Sequence, residues 1–529
     1  MRPFQARFAN HPEKGRTMRL LTKCLLFLLF LMASISFAGA QSKDDADKSV
    51  DVASGSASKE EVEQLRKEVA AQRQTIEELK AMVQQLVQAK AEASNTDGGR
   101  VVNATLVQPD PQAAKSEQKA AEKPATPAPT AGWNGEHFFV KAGEFQLQPY
   151  GYFQSDFRTY QGDGVPPDTF LIRRARFGFQ GNYGKYYDFG ILIDGAASNG
   201  ISLRDLYVTI KPFSEFQVQV GQFKEPFAQE VMTAVTNIDF IERSLASLLY
   251  PSAATAFRSP GAMVRGDIAG GVMQYWLGAF NGKGILTNNT TNKPEVIGRV
   301  RFYPWKKHKD HMLQGFAFGG AYGYGHTRGL SNEQSFGTTL PDAAFALVPT
   351  FTINGPVERW NAEGTWTHGP WAVRAEYDQL MQFRRNVGSE DFGGIGFVTL
   401  PAIVGKGGYA QATYLLTGEA RPENGTPKVK HPLLGPGENR GWGAWEAAFR
   451  YDKLQVKEPG VAIPSQFTPG GVPTFEGHAD TFTAGLNWYL NYWVKYQANF
   501  GVDRLAQPST TGQIPQNFFV FLQRLQFRF

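Results

Sequence analysis

The chain has 529 residues, 42% hydrophobic and 19% charged, with a mean hydropathy of −0.33. These values exclude a helical membrane protein and suit a barrel, in which only alternate strand residues meet lipid; the 56 glycines and 13% aromatic residues fit its turns and interfacial girdles. Of the formal charge of +5, the first 40 residues hold six basic groups and one acid, leaving 48 of 54 basic and 48 of 49 acidic residues, a neutral remainder that gives no case for nucleic acid.

Basic residues, the apolar run 20–37 and the triplet Ala38-Gly39-Ala40 predict a secretory signal peptide over 1–40, cut after Ala40. A membrane anchor is the alternative, on a run barely long enough to span. Translation starts at Met1 or Met18. The single cysteine, Cys24, leaves with the signal, and Thr22-Lys23 before it lacks the small residues that lipidation requires. Disulfide and thiol chemistry are therefore excluded from the mature chain.

Residues 41–58 are polar and predict a flexible segment. Over 59–90, Val62, Val69, Ile76 and Val83 recur every seven residues, with Leu65, Gln72, Leu79 and Leu86 in the second core position. This spacing predicts a coiled coil, two-stranded if isolated or three-stranded if a tethered barrel imposes that symmetry. A solitary surface helix is the alternative. Residues 91–132, rich in Ala, Pro, Lys and Gln, predict an extended linker.

From 133 to 529 the pattern predicts an all-β transmembrane barrel of about sixteen antiparallel strands. They begin near Phe145, Phe170, Tyr186, Leu203, Phe216, Gly261, Gly271, Val296, Gln314, Pro356, Trp371, Gly407, Gly441, Asp480, Trp493 and Asn517. Long connections, including 224–260, 281–294, 328–355, 385–406, 455–479 and 506–516, alternate with short ones. Two depart from the rule: 196–200 is short for an outer loop and 417–440 is long for a periplasmic turn. In the last strand Phe519, Phe521, Leu525, Phe527 and Phe529 share one face, and Arg524, Gln526 and Arg528 the other. Phe529 ends the terminal aromatic strand that outer-membrane barrels present to their assembly machinery.

Strand parity turns Arg174 and Arg176 inward, opposite Ala175, Phe177 and Phe179, and does the same for Arg299 and Arg301. Arg265, Arg374, Arg450, Lys495, Arg524 and Arg528 follow. Guanidinium forks suit phosphate because they are planar, permanently charged and bidentate. Parity equally turns Asp156, Asp194, Asp205, Asp267, Glu376, Asp378, Glu446, Asp452 and Asp503 inward. Pairing across the lumen is thus an alternative to anion selection.

Ordered stretches resemble the phosphate-selective porin O and P family: Phe170-Leu-Ile-Arg-Arg-Ala-Arg-Phe-Gly-Phe-Gln-Gly181, Leu203-Arg-Asp-Leu-Tyr207, Val220-Gly-Gln-Phe-Lys-Glu-Pro-Phe227, Tyr275-Trp-Leu-Gly-Ala-Phe-Asn-Gly282, Leu416-Thr-Gly-Glu419 with Gly443-Ala-Trp-Glu446, and Arg524-Leu-Gln-Phe527. The resemblance implies a trimeric sixteen-stranded pore, a loop after the fifth strand folded inward, and passive uptake of phosphate or related anions. Its site carries over to Arg173 and Arg174, with Asp205 as neighbour and Lys224 at the loop entrance. Arg173 has lipid-facing parity and needs a bulge or a rim position to reach the lumen. Phosphate-specific members are expected to carry lysines in the inward loop, yet 228–257 holds no Lys, only Arg243 and the acids Glu230, Asp239 and Glu242.

Enzymatic motifs are missing: His308 and His311 sit in a lysine-rich turn, Leu277 stands where a phosphate-binding loop needs its first glycine, and there is no nucleophile elbow. The sequence therefore predicts a non-enzymatic outer-membrane anion pore without cofactor or metal, its coiled coil in the periplasm. Its partners are outer-membrane lipid, two further copies, small anions and the barrel assembly machinery. The alternative is a structural protein that tethers the outer membrane to peptidoglycan, with a non-selective pore.

Overall fold

In the middle of a bilayer no water is present to satisfy backbone N–H and C=O groups, so a spanning sheet must close on itself. This chain does so. The computed structural model describes residues 128–529 except 135–136, 164, 198–199, 251–256, 333–350, 388–397, 435–438, 459–474 and 510–511. The expected signal peptide, flexible segment, coiled coil and the linker up to residue 127 lie outside these residues. The unit from Pro124 to Phe529 contains the barrel.

Its wall comprises β3 (Phe145–Gln161), β4 (Thr169–Tyr183), β5 (Tyr187–Ala197), β6 (Gly200–Phe213), β7 (Phe216–Lys224), β8 (Arg258–Ile268), β9 (Met273–Phe280) and β10 (Glu295–Phe302). It continues through β11 (Ala317–Asn332), β12 (Phe351–His368), β13 (Trp371–Val387), β14 (Val398–Leu415), β15 (Ala444–Glu458), β16 (Phe475–Tyr489), β17 (Val494–Ser509) and β18 (Gly512–Arg528). Every neighbour pair is antiparallel, and β18 closes on β3, with Arg524 facing Asp156. Two short strands precede the wall: β1 (Thr130–Trp133) pairs with β2 (Phe138–Ala142), which pairs with the start of β3. The linker expected to run to 132 therefore ends earlier, because Thr130–Trp133 finds a backbone partner in β2.

The sixteen expected strands correspond one for one to β3–β18, but several are longer than alternation suggested. β17 and β18 pair as far as Ser509 and Gly512, where a connection over 506–516 was expected. Beyond the apolar band a ladder needs only backbone partners, so it continues where hydrophobic alternation has stopped. The short connection near 196–200 is a tight hairpin, Ala197 facing Gly200.

On the outer face Phe177, Phe449, Phe500, Phe519 and Leu525 are exposed, as lipid-facing groups should be. Inside, the described residues of the loop between β7 and β8, 225–250 and 257, enter from the end opposite Phe529 and include α1 (Gln229–Met232) and a 3-10 turn (Leu245–Leu249). It docks on both sides of the lumen. Phe227, Val231, Tyr250 and Phe257 pack with Phe223, Met263, Phe280 and Ile297. Ile241, Leu245 and Leu249 pack with Leu380, Ile403, Leu454, Val456, Leu505 and Phe518. A Cβ on Gly405 would stand 2.4 Å from Leu249 Cδ2, and one on Gly407 3.0 Å from Ala246 Cα, so glycine lets the 3-10 turn reach the wall.

Candidate functional site

Period-two geometry gives each strand one inward row of side chains. The structure places Arg174, Arg176, Arg299, Arg301, Arg374 and Arg450 on that inner face, all buried, together with Asp205, Glu376, Asp378, Glu446, Asp452 and Asp503. Arg173 arrives by a bulge: Gln154 faces Arg174 while Ser155 faces Ile172, leaving Arg173 as an extra residue in β4. A second bulge, which the sequence reading missed, does the same in β6. There Leu192 faces Asp205 and Ile193 faces Leu203, so Arg204 is left over and its Nε lies 3.3 Å from Asp194.

Most of these guanidiniums meet carboxylates. Arg176 pairs with Asp194 at 2.8 Å, Arg258 with Asp205 at 2.8 Å and Arg299 with Glu363 at 2.5 Å. Arg301 pairs with Glu423 at 2.6 Å, Arg450 with Asp452 at 2.6 Å, and Arg359 with Glu225 at 2.9 Å and Glu295 at 2.6 Å. Arg524 grips Asp156 through two nitrogens, at 2.6 and 2.8 Å. Pairing of this kind offsets the large cost of taking a charge out of water.

The acids of the inward loop complete the network. Glu242 bonds Arg158 and lies 2.9 Å from Arg173 Nε. Burial pushes its carboxyl up, but Arg173, Arg158, Arg174 and Arg524 outweigh that and hold it well below the usual carboxylate range. Asp239 bonds both Arg374 and Arg421 and accepts from Gln411 at 2.7 Å. Against the same burial penalty, Arg374 and Arg421 hold its carboxyl below the ordinary range. The loop backbone is fixed by wall side chains: Ile241 N–H donates to Asn499 at 2.7 Å, and Arg524 donates to the Ile241 carbonyl at 2.6 Å.

Several cations stand apart, among them Lys495, which donates to the carbonyls of Thr236 and Ile238, and three arginines. Arg174 donates to Gln154 Oε1 at 2.9 Å, Arg243 donates to the carbonyls of Glu230 and Thr233, and Arg265 has a buried Nε without a partner. None of the three pairs with a carboxylate among the described residues. Lys224 has another role: its ammonium donates to the carbonyls of Val231, Met232 and Thr233 at 2.8, 3.4 and 2.9 Å, capping α1 and pinning the loop.

From the end that carries Phe529 a second segment enters, the turn 416–443. Arg421 reaches Asp239 and lies 2.7 Å from Glu446, while Asn424 Oδ1 accepts from Gln229 of α1 at 3.3 Å. In the sequence this turn showed only its length and the family stretch Leu416-Thr-Gly-Glu419; its residues Arg421 and Asn424 are the ones that reach the inward loop. Among the described residues no cluster of His, Asp and Glu is suited to a metal ion.

The inner wall thus carries guanidinium forks, most engaged by carboxylates and a few, such as Arg174, held by neutral acceptors. The chain is 25% identical to Porin O of Pseudomonas aeruginosa over 417 residues, covering 73% of this chain and 89% of that protein. It is 24% identical to an uncharacterized protein of Caulobacter vibrioides over 463 residues, 82% and 85% of the two chains. Among solved structures it is similar to OmpT, an outer membrane protein of Vibrio cholerae, at 11% identity and a TM-score of 0.46, covering 74% of this chain and 99% of that one. It is also similar to the outer membrane channel DcaP of Acinetobacter baumannii, at 10% identity and a TM-score of 0.42, covering 73% and 97%. The family model for phosphate-selective porin O and P matches residues 147–529, from the first wall strand to the last residue, and the chain belongs to that family of outer-membrane porins.

Proposed function

We propose that this porin passes small anions, phosphate and related oxyanions among them, along the β3–β8 side of the lumen. The observation that carries this reading is Arg174: a buried guanidinium held by an amide oxygen and by no carboxylate among the described residues, beside Arg173, Arg176 and Arg204. A fixed donor of this kind exchanges water for a phosphate oxygen without first breaking an ion pair. The loop acids argue against a strictly phosphate-selective pore, because Glu242 and Asp239 neutralise wall arginines where lysines were expected.

Long loops mark the external end of such barrels and short turns the periplasmic one. The coiled coil expected over 59–90 would then belong to the periplasmic side. A trimer is favoured by the outer wall from β3 to β10, whose strand residues bear no outward charged side chain and include the small, partly exposed Ala175, Gly181 and Gly298, which a neighbouring copy could approach closely.

Reversal potentials in asymmetric potassium chloride, with and without added phosphate, test the reading. Anion preference and block of chloride current by phosphate are expected. Arg174→Ala should reduce the preference clearly and Arg299→Ala little, since Glu363 already neutralises Arg299. Cation selectivity of the unmodified pore would overturn the proposal.

A further inference from the structure

The outer wall is divided by charge. Between β3 and β10 its strand residues are uncharged from end to end, whereas β14–β17 carry a row of basic side chains toward the loop end. Lys406, Lys453, Lys457 and Arg504 have outward parity and are exposed. The register aligns them. Lys453 faces Asp480, Asp480 faces Arg504, and Lys406 faces Gln455 one step further out. At the strand spacing of about 4.8 Å, the row from Lys406 on β14 to Arg504 on β17 spans about 14 Å.

This belt sits directly above the apolar band. Tyr451, Phe482 and Val502 occupy the next outward positions below it, and the Arg504 guanidinium lies 5.7 Å from the Phe482 ring. Two carboxylates intrude: Asp480 is 3.7 Å from Lys453 Nζ and Glu476 is 3.7 Å from Lys457 Nζ. Even so, Lys453 and Lys457 keep 57% and 52% of their side chains exposed. Lys406 and Arg504 have no carboxylate partner among the described residues.

A cationic row at the edge of a lipid-facing aromatic surface meets whatever headgroup caps the outer leaflet. We propose that the β14–β17 belt binds a phosphate-bearing lipid headgroup of that leaflet, with Lys406, Lys453 and Arg504 as the direct contacts. The acyl chains then lie on Phe449, Phe482 and Phe500, and the phosphates meet Lys406 and Arg504, which have no carboxylate partner among the described residues, and the exposed ammonium of Lys453 beside Asp480. This site is outside the barrel and separate from the lumen, so it stands or falls independently of the ion that the pore conducts.

The test uses the full chain in detergent, adding lipid A with both phosphates, lipid A stripped of phosphate, or inorganic phosphate. The bis-phosphorylated lipid is expected to raise the thermal midpoint by several degrees, and the other two are not. Each basic side chain near a phosphate surface contributes about fivefold in affinity, so Lys406→Gln, Lys453→Gln and Arg504→Gln together should weaken binding on the order of a hundredfold. Unchanged single-channel conductance in that variant shows the barrel intact. An equal shift with the stripped lipid, a shift with inorganic phosphate alone, or undiminished binding by the triple variant would each overturn the assignment.

Discussion

The loop 225–257 and the turn 416–443 enter one lumen from opposite ends, and they are held there by different physics. The loop is anchored mainly by apolar burial on two walls, and its acids then fix it against Arg158, Arg173 and Arg374. The turn buries little apolar surface, Val429 packing on Leu415, Ala444 and Tyr489. It is held chiefly by Arg421, by Glu423, and by Arg374 donating to the Glu423 carbonyl at 3.0 Å. Asp239 joins the two, since one carboxylate serves Arg374 from the wall and Arg421 from the turn. The difference matters because burial is insensitive to ionic state, whereas a turn held by charge responds to any loss of a partner.

Asp239→Ala is the largest expected effect, for it leaves Arg374 and Arg421 facing each other without their shared anion. Removing one member of a buried ionic cluster costs about 3–5 kcal/mol, and both inserts should loosen together, visible as faster proteolysis at both segments and noisy single-channel current. Ile241→Ala acts on the loop alone. It removes a fully buried side chain from the larger apolar cluster, at a cost of about 3 kcal/mol. Hydrogen exchange should then quicken in 225–257 and stay unchanged in 416–443. Equal quickening in both would show that the loop supports the turn.

Acid titration separates the two modes more gently. The carboxyls of Asp239 and Glu242 are held below their ordinary values. The stability they add is therefore complete above the unfolded carboxylate range, near pH 4.5, and is lost only as pH falls through their lower folded values. Channel noise should stay flat down to about pH 4 and rise below it. A rise already at pH 5 to 6 would mean that these anions are not the ones holding the inserts.

How much of this was legible depended on what each part obeys. Strands obey parity, so every wall strand and inward arginines such as Arg174, Arg176, Arg299 and Arg301 could be read from alternation, whereas Arg158, Arg258 and Arg359, buried on the same inner face, went unread. Arg173 was readable as a problem, an arginine on the lipid side, and the bulge is its solution. Arg204 posed the same problem and passed unnoticed. The docking of the loop was also written in the chain: Leu380, Ile403, Leu454, Val456 and Leu505 are apolar at inward positions, where a water-filled lumen would have polar groups. Arg421 and Glu423 carried no such sign, because a Pro- and Gly-rich turn has no period and its partners come from β10, β15 and the loop. The acids of 228–257 were seen as a departure from the family, but which arginines they neutralise depends on where the loop lies.

Glu423→Gln probes the comparison with the smallest change. The side chain is 21% exposed, and Arg301 keeps Thr365 at 2.6 Å and Glu363 at 3.7 Å when the Glu423 charge is removed. Tyr303, whose hydroxyl donates to Glu423 at 3.1 Å, finds an acceptor in the glutamine amide as well. No buried charge is orphaned, so the cost is about 0.5–1 kcal/mol and the barrel midpoint should not move. Hydrogen exchange in 416–443 should still rise a few-fold, because the turn has little apolar packing to share the load, while 225–257 stays protected by its two clusters. If exchange rose in both segments after so slight a change, Asp239 would be coupling them into one cooperative unit, and the distinction between a packed loop and a charge-held turn would fail.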